Sequence, residues 1–292
     1  MSMRIVALAG TVTALLAAGP QQQPADGVSW AGSWEEAVAE ATERNVPILY
    51  SVQQDENPTC QQMQGAFRDG SFIRESRRVV CVVSNPDTKH GIREQMVAGK
   101  KTPFCKAYDN MNCDVHVRCQ SVIGKFVDTK SGSFDIPMQV WTRPDGKELF
   151  KGPTGANGAG GQSAAALIKD LERALERVSG PKLGRTEWVG LKKLIRDGEE
   201  AQGRNDFKYA LKCFKSVMEC KHDKFAEIGK GKYEGYIAQC CNLVTRALKQ
   251  YHSSEKDSPK QKEVKPLLQK IAKEMKGTEA GTAAEDALKQ IK

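Results

Sequence analysis

Two rhythms of apolar residues run along this chain, and the change from one to the other falls near residue 180. In the first part, short apolar runs alternate with amphipathic stretches. Residues 34–44 place Trp34, Val38 and Ala41 on one helical face, with Ser33 and Glu36 in capping-box spacing and Asn45 closing the helix. Residues 46–52 are apolar with a β-branched bias, which predicts a buried strand. Pro58 suits the first turn of a helix carrying Cys60, Met63 and Phe67. Residues 78–83 predict a second buried strand, broken by Asn85-Pro86-Asp87. Residues 100–133 form a polar insertion with cysteines and no clear period. Residues 134–141 predict a strand with Pro137 near its start, Arg143-Pro144-Asp145-Gly146 a tight turn, and residues 147–150 the returning strand. A glycine-rich stretch at 152–161 lacks the Lys-Ser/Thr of a phosphate-binding loop and is expected to be a flexible connection. Residues 162–178 form an amphipathic helix with Leu167, Leu171, Ala174 and Leu175 inward. This order predicts an α/β domain ending in an antiparallel hairpin.

Past Ser179-Gly180-Pro181 every apolar position keeps helical spacing. Phe207, Ala210, Leu211, Phe214, Val217 and Met218 form one stripe, and Tyr233 to Tyr251 another. Residues 253–262 read as a charged linker, followed by two more helices. The expected division is residues 1–27 as signal peptide and polar spacer, 28–179 as the α/β domain and 180–292 as an all-α helical domain.

Composition changes this picture at both ends. Of 292 residues, 39% are hydrophobic and 27% charged, an ordinary globular balance. The one long apolar run, residues 5–19, follows Arg4 and leads into small and polar residues, the pattern of a secretory signal peptide. It is short of the roughly 20 residues of a membrane span. A retained anchor is the alternative, and no other segment could cross a bilayer. Export to the periplasm, cell envelope or medium is expected. The net charge of +8 lies wholly in the second part: residues 1–180 hold 20 basic and 20 acidic side chains, residues 181–292 hold 24 and 16. A solvated helical surface accounts for this, and an acidic partner or anionic lipid surface is the sharper reading. No basic block is interleaved with aromatics, so nucleic acid is excluded as a partner.

Nine cysteines in an exported chain imply disulfides, and the odd number leaves at least one thiol over. Cys105, Cys113, His116 and Cys119 are of zinc-ligating types, but short spacings in an exported chain favour a disulfide, and no metal or cofactor is assigned. The pairs 105–113, 105–119 and 113–119 stay open, and the spare thiol could meet Cys81 or Cys60. In the helical part, Cys213–Cys240 is the expected bridge, with Cys220 and Cys241 less well placed.

The stretch Glu56-Asn57-Pro58-Thr59-Cys60-Gln61-Gln62-Met63, the dipeptide Ile136-Pro137 and the turn Pro144-Asp145-Gly146-Lys147 together resemble the thioredoxin-like superfamily, in its exported members with Trp-Cys-x-Thr-Cys-x-x-Met after the first core strand. The resemblance covers about residues 28–178. It implies a thioredoxin-like fold with Asn57 where the nucleophilic cysteine belongs, Glu56 at the usual tryptophan, Cys60 as the resolving thiol and Pro137 as the cis-proline. It also implies a peptide groove lined by Glu56, Asn57, Pro58, Thr59, Ile136 and Pro137. Asn57 cannot become a thiolate but can cap the helix. Cys60 remains open between a buried inert thiol, a reactive single thiol and a disulfide partner. Gly198, Ala210 and Phe214 resemble one tetratricopeptide repeat, with no clean second repeat. The expected role is a protein-binding adaptor. The alternatives are a thiol-disulfide oxidoreductase or isomerase using Cys60, alone or with a distant cysteine, and a purely structural envelope component.

Overall fold

The computed structural model describes residues 27–87, 91–97, 99–108, 111–127, 135–152, 163–256 and 258–291. The expected signal peptide and most of the glycine-rich stretch lie outside these residues.

Helix α1, Trp34–Arg44, starts where expected: Ser33 Oγ accepts from Glu36 N at 3.1 Å. The reciprocal arm of the capping box falls one residue early, since Glu36 Oε2 accepts from Gly32 N rather than from Ser33. Asn45 ends the helix at φ 53°, a left-handed conformation that asparagine tolerates. Strand β1, Ile48–Val52, is followed by α2, Pro58–Phe67, α3, Gly70–Ser76, and β2, Val80–Ser84, which runs parallel to β1 with Ile48 opposite Val80. Strands β5, Met138–Thr142, and β6, Glu148–Lys151, close the sheet in the order β2-β1-β5-β6, with both new pairings antiparallel. Helix α5, Ala164–Arg177, returns over it.

Period-two alternation sends the sheet's side chains to two cores. Leu49, Cys81, Val83 and Trp141 face α2, α3 and α5 through Met63, Phe67, Phe72, Leu167 and Leu171. Ile48, Tyr50, Val82 and Val140 face α1 through Trp34, Ala37 and Ala41. A mixed sheet between helical layers is thus the architecture of this half.

The segment expected to be an insertion without period, 100–133, contains structure, and a further strand precedes it. Strands β3, Ile92–Val97, and β4, Lys100–Cys105, form a separate two-stranded hairpin, followed by α4, Cys113–Arg118, and a 3-10 turn, Cys119–Lys125. Ile92 and Met96 stand exposed on the hairpin. It escaped prediction because neither strand is buried along its length, so no apolar alternation marks it.

The remainder is helical: α6, Arg185–Gly203, α7, Phe207–Met218, α8, Asp223–Ser253, α9, Pro259–Glu274, and α10, Glu279–Gln290. A short turn, 219–222, joins α7 to α8. Gly198 of α6 lies against the Phe214 ring of α7, so a Cβ there would meet Cε1 at 2.6 Å. The helical half is keyed to α1. Trp188 Nε1 donates to Glu43 Oε2 at 2.8 Å, Lys192 pairs with Glu43 at 3.2 Å, and Leu183 N donates to Arg44 O at 2.8 Å.

Helix α8 crosses the end of α7 so closely that a Cβ on Gly229 would sit 2.3 Å from Met218 N and 2.6 Å from Val217 C. A glycine-to-alanine change inside a helix normally gains about 1 kcal/mol in propensity. Here the obstacle is backbone, which no rotamer change relieves. Gly229→Ala is therefore expected to lose about 2 kcal/mol by overpacking. Urea unfolding of the pair of proteins would reveal this, and an unchanged midpoint would mean that α8 slides freely on α7.

Candidate functional site

The loop after β1 and the start of α2 meet the segment before β5 where the chain turns into the sheet. Asn57 is the N-cap of α2, and Pro58 takes the first position, whose N–H no helix needs. Asn57 Oδ1 accepts from Thr59 N at 2.9 Å and Cys60 N at 3.3 Å. Its Nδ2 donates to Ile136 O at 3.1 Å, directly before the cis Ile136–Pro137 peptide. One amide thus caps the helix and ties it to the proline segment, spanning the two walls of the expected groove. A docking strand would seek the Ile136 carbonyl, which already holds this bond. Glu56 and Pro58 are exposed, Asn57, Thr59 and Ile136 half-buried, and Pro137 is buried.

Cys60 lies one turn into α2 and has no exposed surface. Its Sγ accepts from Gln54 N at 3.3 Å. Burial pushes the thiol up to about 11, against the opposing effect of that N–H, and nearby Asp55 and Asp87 push the same way. A thiol so placed is protonated and shielded at neutral pH, the opposite of what a nucleophile requires.

Behind this loop lies a polar network that sequence reasoning missed. Asn85, fully buried at the end of β2, donates through Nδ2 to Asp55 Oδ1 at 2.7 Å and Tyr108 Oη at 2.9 Å. Asp55 N donates to Asp87 Oδ2 at 2.8 Å, and Asp87 N to Asn85 Oδ1 at 2.8 Å. His116 Nδ1 is 2.8 Å from Asn85 O. Asn85 looked like a strand breaker in sequence; its second role depends on partners 23 and 31 residues away.

The cysteines correct several expectations. Cys105 and Cys113 come together beside His116 in the core under α2. Cys119 lies in the other core, across the sheet, with Tyr50 Oη donating to its carbonyl at 2.8 Å. The pairings 105–119 and 113–119 are thereby removed, because α4 carries the chain from one core to the other between Cys113 and Cys119. The Cys213–Cys240 bridge is not formed either: both are buried thiols, Cys213 hydrogen-bonded with Tyr209 and Cys240 with Tyr236. Each of these tyrosines lies one turn earlier on the cysteine's own helix.

Burial raises Cys60, Cys119 and Cys240 to about 11 and Cys81 to about 12. Each folded thiol holds its proton to higher pH than the unfolded chain, in which thiols ionise near 9. Between these values the unfolded state binds fewer protons, so stability is intact below about pH 9 and falls as pH rises toward 11. Urea midpoints measured with reductant from pH 8 to 11 are expected to drop steeply above 9. A flat profile would mean that these thiols titrate in the folded protein as they do in the unfolded chain.

No protein-family model matches the chain, and no curated protein matches it. A solved structure titled DsbH oxidoreductase is similar over 54% of this chain and 92% of that one, at 16% identity and a TM-score of 0.32. The strand order and pairing described above carry the description of the α/β half independently of that likeness. Among the described residues no helix is long and apolar enough to cross a membrane.

Proposed function

We propose that this chain is an exported binding protein whose thioredoxin-like half has exchanged thiol chemistry for a fixed docking surface, with the helical half as a second contact surface. The observation that carries this reading is the start of α2: an amide holds the hydrogen bonds that would stabilise a thiolate, and the remaining thiol is buried with its pKa raised to about 11. The docking surface comprises the exposed Glu56 and Pro58 with the half-buried Asn57, Thr59 and Ile136. Exposed Ile92 and Met96 on the β3–β4 hairpin add apolar area. The basic helices favour acidic partners, although many of their cations are already paired along the helix, as in Lys193–Asp197, Lys215–Glu219 and Lys230–Glu234. Such exposed pairs contribute only about 0.3–0.5 kcal/mol each, so they yield readily to a partner's charge.

The full chain is expected to reduce insulin no faster than buffer with dithiothreitol, and Cys60→Ser is expected to change nothing. A photo-crosslinker at Glu56 is expected to capture a protein that one at Lys125 does not. Insulin reduction abolished by Cys60→Ser would replace this reading with a single-thiol oxidoreductase.

A further inference from the structure

Cys105 ends β4, Cys113 begins α4 and His116 follows within α4. The two sulfurs and a ring nitrogen of His116 all lie within 4.8 Å of one another. Cys105 and His116 have no exposed surface and Cys113 has 6%. We propose that these three side chains form a Zn²⁺ site that clamps the β3–β4 insertion to the end of β2.

Two thiolates and an imidazole are the donor set that selects thiophilic cations over Mg²⁺ or Ca²⁺. Zn–S and Zn–N bonds of about 2.0–2.3 Å set tetrahedral ligand edges at roughly 3.3–3.8 Å, so closure around the ion needs contractions of about 1.5 Å at most. Three protein ligands leave the fourth position to water or an anion. The surroundings fit a ligating site. The contact between His116 Nδ1 and Asn85 O at 2.8 Å places the proton on Nδ1 and leaves Nε2 with its lone pair. The backbone N–H groups of Tyr108 and Ala107 hydrogen-bond to Cys105 Sγ and so hold the sulfur in place. A disulfide would account for two of the three groups, whereas a cation accounts for all three. Binding displaces the two thiol protons to solvent as the two Zn–S bonds form, with no change of oxidation state. The ion would join β4, α4 and, through His116 and Asn85, the end of β2.

The inference does not rest on the binding reading above, and its test has a separate readout. The full chain, reduced and stripped with a chelator, is titrated with Co²⁺. The expected result is one Co²⁺ per chain, with thiolate-to-cobalt charge transfer in the near ultraviolet and tetrahedral bands in the visible, both erased by Zn²⁺. Cys105→Ser and Cys113→Ser are each expected to remove the charge transfer or weaken binding at least tenfold, and Cys119→Ser to leave it intact. Should the serine variants fail to fold, alkylation mapping of the unaltered chain decides. Zn²⁺ is expected to protect Cys105 and Cys113, and a chelator to expose them. Absent cobalt bands, bands that survive both substitutions, or a Cys105–Cys113 disulfide that forms in the presence of Zn²⁺ would each overturn the proposal.

Discussion

Arg44→Ala is expected to remove about 3–5 kcal/mol of stability, the scale of breaking a buried charge network by deleting one partner. Arg44 ends α1 with its side chain wholly buried. Its guanidinium donates through Nε to Leu183 O at 3.1 Å and through Nη2 to Arg77 O at 2.6 Å. Through Nη1 it donates to Glu40 Oε1 at 2.5 Å and Val79 O at 3.2 Å. Burial lowers its pKa, but an arginine so far above neutrality stays charged, and Glu40 favours the charged form. Four acceptors from three parts of the chain converge on one planar fork. Removing it takes a donor from three carbonyls and leaves Glu40 only its pairing with Arg185 at 3.4 Å, each buried acceptor left unsatisfied costing about 1–3 kcal/mol. Arg44→Lys keeps the charge but cannot reach four acceptors in those directions, so it is expected to recover only part of the loss. Urea unfolding followed by tryptophan fluorescence measures both. Because Leu183 O belongs to the segment joining the two halves, limited proteolysis between residues 178 and 184 is expected to accelerate in Arg44→Ala. A loss under about 1 kcal/mol would show that water replaces the guanidinium at little cost.

Asn57→Cys is expected to create a redox-active dithiol at the start of α2. The introduced thiol would stand at the N-cap of a ten-residue helix, facing the N–H groups of Thr59 and Cys60 that now bind Asn57 Oδ1. Those donors and the helix dipole stabilise a thiolate, lowering its pKa into the range of roughly 3.5–7.5. Cys60 lies three residues on, one helical turn away, so attack on a substrate disulfide can be resolved within the chain. Insulin reduction above background is expected, along with the loss of two titratable thiols after mild oxidation. The substitution forfeits the Asn57 Nδ2 bond to Ile136 O, a cost of about 1 kcal/mol. Slow alkylation of the introduced thiol with an ordinary pKa near 8.5 would mean that the site around α2 has drifted too far to support thiol chemistry.

These experiments separate what the chain encodes locally from what it encodes only when folded. Ser33, Asn57 and Ser163 cap the helices that their sequence context predicts, because a cap is a contract between residues two or three apart. The buried strands at 48–52 and 80–84 and the turn at 143–146 follow from runs of like residues and from proline and glycine in fixed places. That Asn57 can cap a helix but cannot ionise as a thiol needed no structure. The β3–β4 hairpin, by contrast, has no one-sided burial to stamp a period on its sequence.

The cysteines show the limit most clearly. Spacing alone grouped Cys105, Cys113 and Cys119, yet a sheet one strand thick puts the first two in one core and the third in the other. Spacing also paired Cys213 with Cys240, yet both remain buried thiols, each hydrogen-bonded with the tyrosine one turn earlier on its own helix. Arg44 looked like an ordinary basic residue in a helix's last turn until Leu183, from far along the chain, closed over it. The sequence by itself determined the buried strands of the sheet, the amphipathic helices and the caps at Ser33 and Asn57, since these depend on neighbours a few bonds away. The tertiary structure alone decided which thiols meet, which charge is buried and how closely α8 crosses α7, since each of these sums contacts between residues that only folding brings together.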